Sequence, residues 1–175
     1  MTLQRYAMPM FGALIATYAA MPSRSVDASA AFERLKTLEG TWEAPVADGK
    51  KATTTFELVA NGTVLLEHYK NPALPGGGHM VSAYHLDGPS LLLTHYCIAR
   101  NQPTLRAERF DATHGEIQFE FLRASNLASE AAHMRRALYR IEGPDRFVTE
   151  WELFQDGRKT LTETEAFTRV KDDTR

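Results

Sequence analysis

With 175 residues, 43% of them hydrophobic, the chain can bury one substantial core but not the cores of two ordinary domains. A formal charge of -2, with no run of five or more basic residues, provides no positive field to gather phosphates and argues against a nucleic-acid partner. A single cysteine, Cys97, excludes an intrachain disulfide framework and a zinc site built on several thiolates, so packing and strand pairing must hold the fold.

In chain order, the first thirty residues stand apart. Arg5 precedes an uncharged, largely apolar stretch over 7–21, and a short polar stretch then ends in Ala28-Ser29-Ala30. Basic, apolar and small residues in that order make up a secretory signal peptide, with cleavage expected after Ala30 and a folded domain over 31–175. The apolar stretch is too short and too interrupted to span a bilayer stably, so a periplasmic or secreted protein without a membrane span is expected. A short helix follows: Asp27 or Ser29 can cap it, and Ala30, Phe32, Leu35 and Leu38 recur at helical spacing.

From Thr41 the apolar period changes to two, and turn signals arrive at short intervals, among them Asp48-Gly49, Asn61-Gly62, His114-Gly115 and Asp156-Gly157. A two-residue turn at Asn61-Gly62 pairs Leu58 with Leu65, Phe56 with Glu67 and Thr54 with Tyr69 on one face. Strands are expected over 41–46, 80–86, 91–99, 105–110, 116–122 and 132–142, and the 116–122 strand turns Ile117, Phe119 and Phe121 inward. The same arithmetic at Asp156-Gly157 pairs Trp151 with Thr162, Thr149 with Thr164 and Phe147 with Ala166. It collects Glu150, Glu152, Glu163 and Glu165 on a face that must point outward, because like charges at that density belong in water. Aromatic rings opposite threonines and an alanine leave room inside, as the lining of a cavity would. The whole reads as an all-β, antiparallel up-and-down β-barrel of about nine or ten strands with a short N-terminal helix, since closure removes unpaired edges.

Leu38-Glu39-Gly40-Thr41-Trp42, a short helix running into Gly-x-Trp at the start of a β meander, resembles the opening of lipocalins and their calycin relatives. The resemblance implies that Trp42 plugs one end of the barrel and that Arg169 packs across it. Strict alternation from the last turn puts Arg169 outside, so this contact requires a bulge or twist near Ala166. Over roughly 32–170 the chain also resembles exported bacterial lipocalin-like proteins of unknown function, through Thr94-His95-Tyr96-Cys97, Asn101-Gln102-Pro103, Asn126 and His133-Met134.

Three features carry candidate chemistry. His95 and Cys97 lie two apart on one strand and share a face, with Ser82 expected opposite His95, Met80 opposite Cys97 and Tyr84 opposite Leu93. Such a pair can activate a thiol or bind soft metal or haem iron, with His133 the nearest further candidate, or it can simply be buried packing. Glu67, if its face is the interior, is a carboxylate among apolar groups that must be protonated, hydrogen-bonded or paired, with Arg135, Arg136, Tyr84 or His95 as partners. In the alternative register it faces solvent. Gly76-Gly77-Gly78 has no Lys-Ser/Thr or helix after it and is no phosphate loop, and no Gly-x-Ser-x-Gly elbow is present.

These readings converge on non-catalytic binding of a small, mostly apolar molecule, with Phe56, Glu67, Tyr84, His95, Cys97, Phe119, His133 and Trp151 as ligand-binding candidates and Trp42 and Arg169 as structural ones. The alternatives are an acid/base enzyme using Glu67 or His95, and a haem or metal barrel by analogy with nitrobindin-like calycins.

Overall fold

The computed structural model describes residues 26–129 and 131–171. The apolar 7–21 stretch expected to direct export lies outside them. The first element is the helix α1 (Ala28–Lys36), capped by Asp27, whose carboxylate accepts the Ala30 N–H at 2.9 Å. Ala28, Ala31, Phe32 and Leu35 form its buried stripe. The expected boundary after Ala30 therefore falls inside a capped helix.

Ten strands follow: β1 (Gly40–Pro45), β2 (Lys51–Val59), β3 (Val64–Lys70), β4 (Met80–Asp87), β5 (Ser90–Tyr96), β6 (Gln102–Asp111), β7 (Glu116–Ser125), β8 (His133–Ile141), β9 (Arg146–Gln155) and β10 (Arg158–Arg169). Each pairs antiparallel with its neighbours in sequence, and β1 meets β10 through Trp42 opposite Arg169, closing an up-and-down barrel of calycin-like architecture. The β2–β3 register is the expected one, with Phe56 opposite Glu67 and Thr54 opposite Tyr69, and so Glu67 faces inward. Tyr84 opposite Leu93 and Ser82 opposite His95 also hold. Met80 opposite Cys97 does not. β5 ends at Tyr96, and Cys97 turns the chain, its carbonyl accepting the Arg100 N–H and its N–H donating to Asn101.

The last hairpin departs from the expected register. Its turn pairs Gln155 with Arg158, but one extra residue, Thr160, enters β10, and from there Trp151 faces Glu163, Thr149 faces Glu165 and Phe147 faces Phe167. The acidic face is thereby split. Glu150 and Glu152 stay outside, where Glu152 meets Arg136 and Lys159, while Glu163 and Glu165 turn toward the barrel interior. The slip buries Phe167, stacked on Phe147 with centroids 4.8 Å apart, a burial worth about 1.5–3 kcal/mol. It also swings Arg169 inward over the Trp42 ring, 4.0 Å from its centroid. The basic lid thus comes from a bulge nine residues upstream of Arg169, not from one near Ala166. Strict alternation would instead have left Phe167 in water.

The barrel has two unlike ends. At the end where β1 begins, Trp42, Phe56, Phe147 and Phe167 fill the interior, α1 packs against the same core, and the Trp42 indole N–H donates to Leu38 at 2.7 Å. Arg169 donates to the carbonyls of Thr37, Glu39 and Pro144. Gly40, at φ +116°, lies so close to the guanidinium that a Cβ would sit 2.9 Å from it. At the opposite end, where β3 and β5 finish and β4 and β8 start, the inward residues are polar.

Candidate ligand pocket at the open end

The polar half begins at Glu67. Alternation along β3 places its side chain inside, 5% exposed, and burial pushes its pKa up. Among the described residues no basic group compensates it, and the expected pairing with Arg135 or Arg136 is not formed; Arg136 turns outward to Glu120, Gln118 and Glu152. Instead Oε1 accepts from Thr54 at 3.1 Å, and Oε2 lies 2.5 Å from the Tyr84 hydroxyl and 3.1 Å from that of Tyr139, which are themselves 2.6 Å apart. The two tyrosine protons fill two edges of this triangle; a carboxyl proton on Glu67 would fill the third and would also remove the cost of an unpaired buried charge.

His95 stands across β4 from Glu67. Its Nδ1 meets Ser82 Oγ at 3.1 Å, and its ring lies 4.9 Å from that of Trp151. Ser82 is also among the side chains that lower the Glu67 pKa. In the tautomer in which Nδ1 donates to Ser82, Nε2, which has no partner among the described residues on a side chain 5% exposed, presents a lone pair. Burial holds the imidazole neutral by lowering its pKa to about 4.

β10 closes the pocket with the two carboxylates that the bulge redirects. Glu165 accepts from Tyr69 at 2.8 Å, whose hydroxyl accepts from Asn71 at 2.9 Å. Burial, with Glu163 and Glu67 nearby, raises Glu165 to about 7, and burial raises Glu163 as well. Met80, Met134, Trp151 and Phe167 supply the apolar wall. The cavity is small, about 30 Å³, with about 400 Å³ of empty space once the open mouth is included. The enclosed part holds two or three water-sized groups, at roughly 10–15 Å³ each. The roomy lining expected from aromatic-threonine pairs is absent because the slipped register sets glutamates against Trp151 and Thr149 and a phenylalanine against Phe147.

Compared with known protein families and with curated proteins, the chain matches none of them. Its site must therefore be read from its own atoms. Of the eight ligand-binding candidates, Glu67, His95 and Trp151 line the pocket. Phe56, Tyr84 and Phe119 are fully buried in the packed core behind it, and only the Tyr84 hydroxyl reaches the polar cluster. Cys97 sits in the β5–β6 turn with its thiol pKa raised by burial, the opposite of an activated nucleophile. His133 packs on Phe121 and hydrogen-bonds Ala131, away from His95. Among the described residues no three His, Cys, Asp or Glu side chains are placed to hold a metal ion, and a porphyrin does not fit a cavity of about 30 Å³.

The pocket residues missed by sequence reasoning fall into two kinds. Tyr69, Met80, Ser82 and Thr149 share faces with Glu67 and Trp151, so alternation alone finds them. Glu163, Glu165, Phe167 and Met134 lie beyond bulges at Thr160 and Arg135, and neither bulge carries a glycine or other local signal.

Proposed function

We propose that this barrel binds, without transforming it, a small molecule with a largely apolar body and a polar end, and that it does so in the cell envelope after export. The supporting observation is the juxtaposition, in one open-ended pocket, of the unpartnered His95 Nε2 with an apolar wall of Met80, Met134, Trp151 and Phe167. The body lies along the wall and mouth, and the polar end enters the enclosed 30 Å³. Glu67 acts from behind: with its oxygens engaged by Thr54, Tyr84 and Tyr139, it holds the polar floor of the pocket in place beside Ser82 and His95.

A thermal-shift screen of apolar and amphipathic ligands tests this reading. A true ligand stabilises the native state by about 2.7 kcal/mol at a hundred times its Kd, and the shift disappears in Trp151→Ala. A screen that stabilises wild type and Trp151→Ala alike refutes it. Export is supported by the charge and apolar order of residues 1–25. Cleavage upstream of Val26 would keep the Asp27 cap and the buried Ala28, whereas cleavage after Ala30 would remove both. Mass spectrometry of the mature N-terminus from an envelope fraction checks both points.

Acid/base turnover is the second reading, and it falls on His95, because Nε2 is the one open nitrogen or oxygen of the buried cluster among the described residues. Its lowered pKa makes it a weak base at neutral pH. Substrate turnover lost in His95→Gln with ligand binding intact would promote this reading.

A further inference from the structure

We propose that the polar end this pocket accepts is a protonated amine, so that its ligands are organic cations with an apolar body. The inference rests on the binding role above and adds the chemical class. The buried polar atom without a partner in the lining is His95 Nε2, and among the described residues no lysine or arginine lines the cavity. His95 lines the space and is more than nine-tenths buried, with Nε2 unpartnered; in the tautomer that donates from Nδ1 to Ser82 this nitrogen is an acceptor. Glu163 and Glu165 stand on the opposite wall, and among the described residues Glu165 has only Tyr69 as a hydrogen-bond donor. The face of Trp151, already stacked beside His95, offers the π-surface on which ammonium groups rest. An ammonium group brings three donors and one positive charge in a volume close to that of a water molecule, which suits a cavity of about 30 Å³. A metal ion is the poorer match, since no three ligating side chains converge among the described residues. A carboxylate or phosphate would meet like charge on the wall formed by Glu163 and Glu165.

The bulge at Thr160 gains a purpose in this reading. Burying Phe167 required turning Glu163 and Glu165 inward, and a cationic ligand offsets the electrostatic cost of having them there. Protonation competes with that ligand. The charged or titratable groups facing Glu165 are Tyr69 and Glu67 on β3, Glu163 on its own strand and His95 on β5; β4 and β9 contribute Met80, Thr149 and Trp151, none of them charged. Glu165, raised to about 7, must give up its proton to meet the cation, so binding releases protons near neutrality and weakens as the pH falls.

The test uses 2-phenylethylamine, its neutral counterpart 2-phenylethanol and its anionic counterpart phenylacetate, titrated calorimetrically into the full-length protein at pH 8 and pH 5.5. The amine should bind at least tenfold more tightly than the alcohol at pH 8, lose most of that advantage at pH 5.5, and release protons in buffers of differing ionisation enthalpy at pH 7. The Glu163→Gln/Glu165→Gln double variant should bring the amine down to the level of the alcohol, with its folding checked separately by circular dichroism and cooperative urea unfolding. Alcohol binding as tight as amine binding, or preference for phenylacetate, would overturn the cation inference and leave the binding role standing. If none of the three probes binds and the wider ligand screen is also negative, both fall.

Discussion

The two ends of this barrel are made from the same ten strands and treat burial in opposite ways. Near α1 the interior is a dry stack of rings, Trp42 edge-on to Phe147 at 4.8 Å and Phe147 flat against Phe167. Toward the other end the same strands present Glu67, Ser82, His95, Glu163 and Glu165. The boundary passes through two residues: the rings of Tyr84 and Tyr139 belong to the dry side, and their hydroxyls close the hydrogen-bonded triangle with Glu67 on the wet side. The difference teaches that stability is concentrated where the barrel is plugged, leaving the open end free to keep acceptors unpaired.

The sharpest way to break that division is to truncate one ring on each side. Phe147→Ala removes a fully buried side chain touching Trp42, Phe56, Tyr139 and Phe167, and should cost about 3–5 kcal/mol in urea unfolding. Met134→Ala, on the wall of a cavity already open to solvent, should cost less than about 2 kcal/mol. Equal losses would mean that the open end is as tightly packed as the closed one. Arg169→Lys comes next. A lysine cannot reproduce the three bonds to Thr37, Glu39 and Pro144 or the flat contact with Trp42, and a loss of about 2 kcal/mol is expected with little change in ligand binding.

How much of this was legible in the sequence follows the same division. The closed barrel, the inward face of Glu67 and the Ser82–His95 pair were readable because Asn61-Gly62 and the turn before Ser90 begin hairpins that run without bulges for six or more residue pairs. The Trp42–Arg169 contact was implied by resemblance and contradicted by simple counting from Asp156-Gly157. Nothing local marks Thr160 as an extra residue. What selects the slipped register is nonlocal: the burial of Phe167 against Phe147 and the closure of β10 on β1. The glutamates carried inside by that choice were invisible for the same reason. The size of the cavity was equally hidden, since it depends on which side chains oppose which across the slipped pair.

Glu67 tests the boundary itself at a smaller scale. If its carboxyl carries a proton, Glu67→Gln preserves shape and neutrality and loses about one hydrogen bond from the triangle, roughly 1 kcal/mol. An infrared difference spectrum at neutral pH should show a protonated-carboxyl stretch in wild type that is missing in the variant. A carboxylate band in its place would mean the triangle holds only two protons.

The smallest expected effect separates the two titrating walls of the pocket by their opposite slopes. Glu165 rises from its ordinary 4.5 to about 7 in the folded protein, so the native state holds this proton more tightly than the unfolded chain, and its contribution to stability is lost as the pH climbs from 4.5 through 7. His95 falls from 6.5 to about 4, so the native state resists protonation, and its contribution is lost as the pH drops from 6.5 through 4. Between pH 4.5 and 6.5 these two slopes oppose each other, while Glu67 and Glu163, also raised by burial, act in the same sense as Glu165. Glu165→Gln should therefore lose less stability than wild type as the pH rises across this window. It should also be about 1 kcal/mol more stable than wild type at pH 8, a figure held down by solvent reaching the half-buried carboxyl. His95→Gln leaves the carboxylate slope, so that stability falls as the pH rises toward 7. Urea unfolding of the three proteins at pH 5, 6.5 and 8 measures this directly, and parallel profiles for all three would show that Glu165 and His95 are not buried in one pocket.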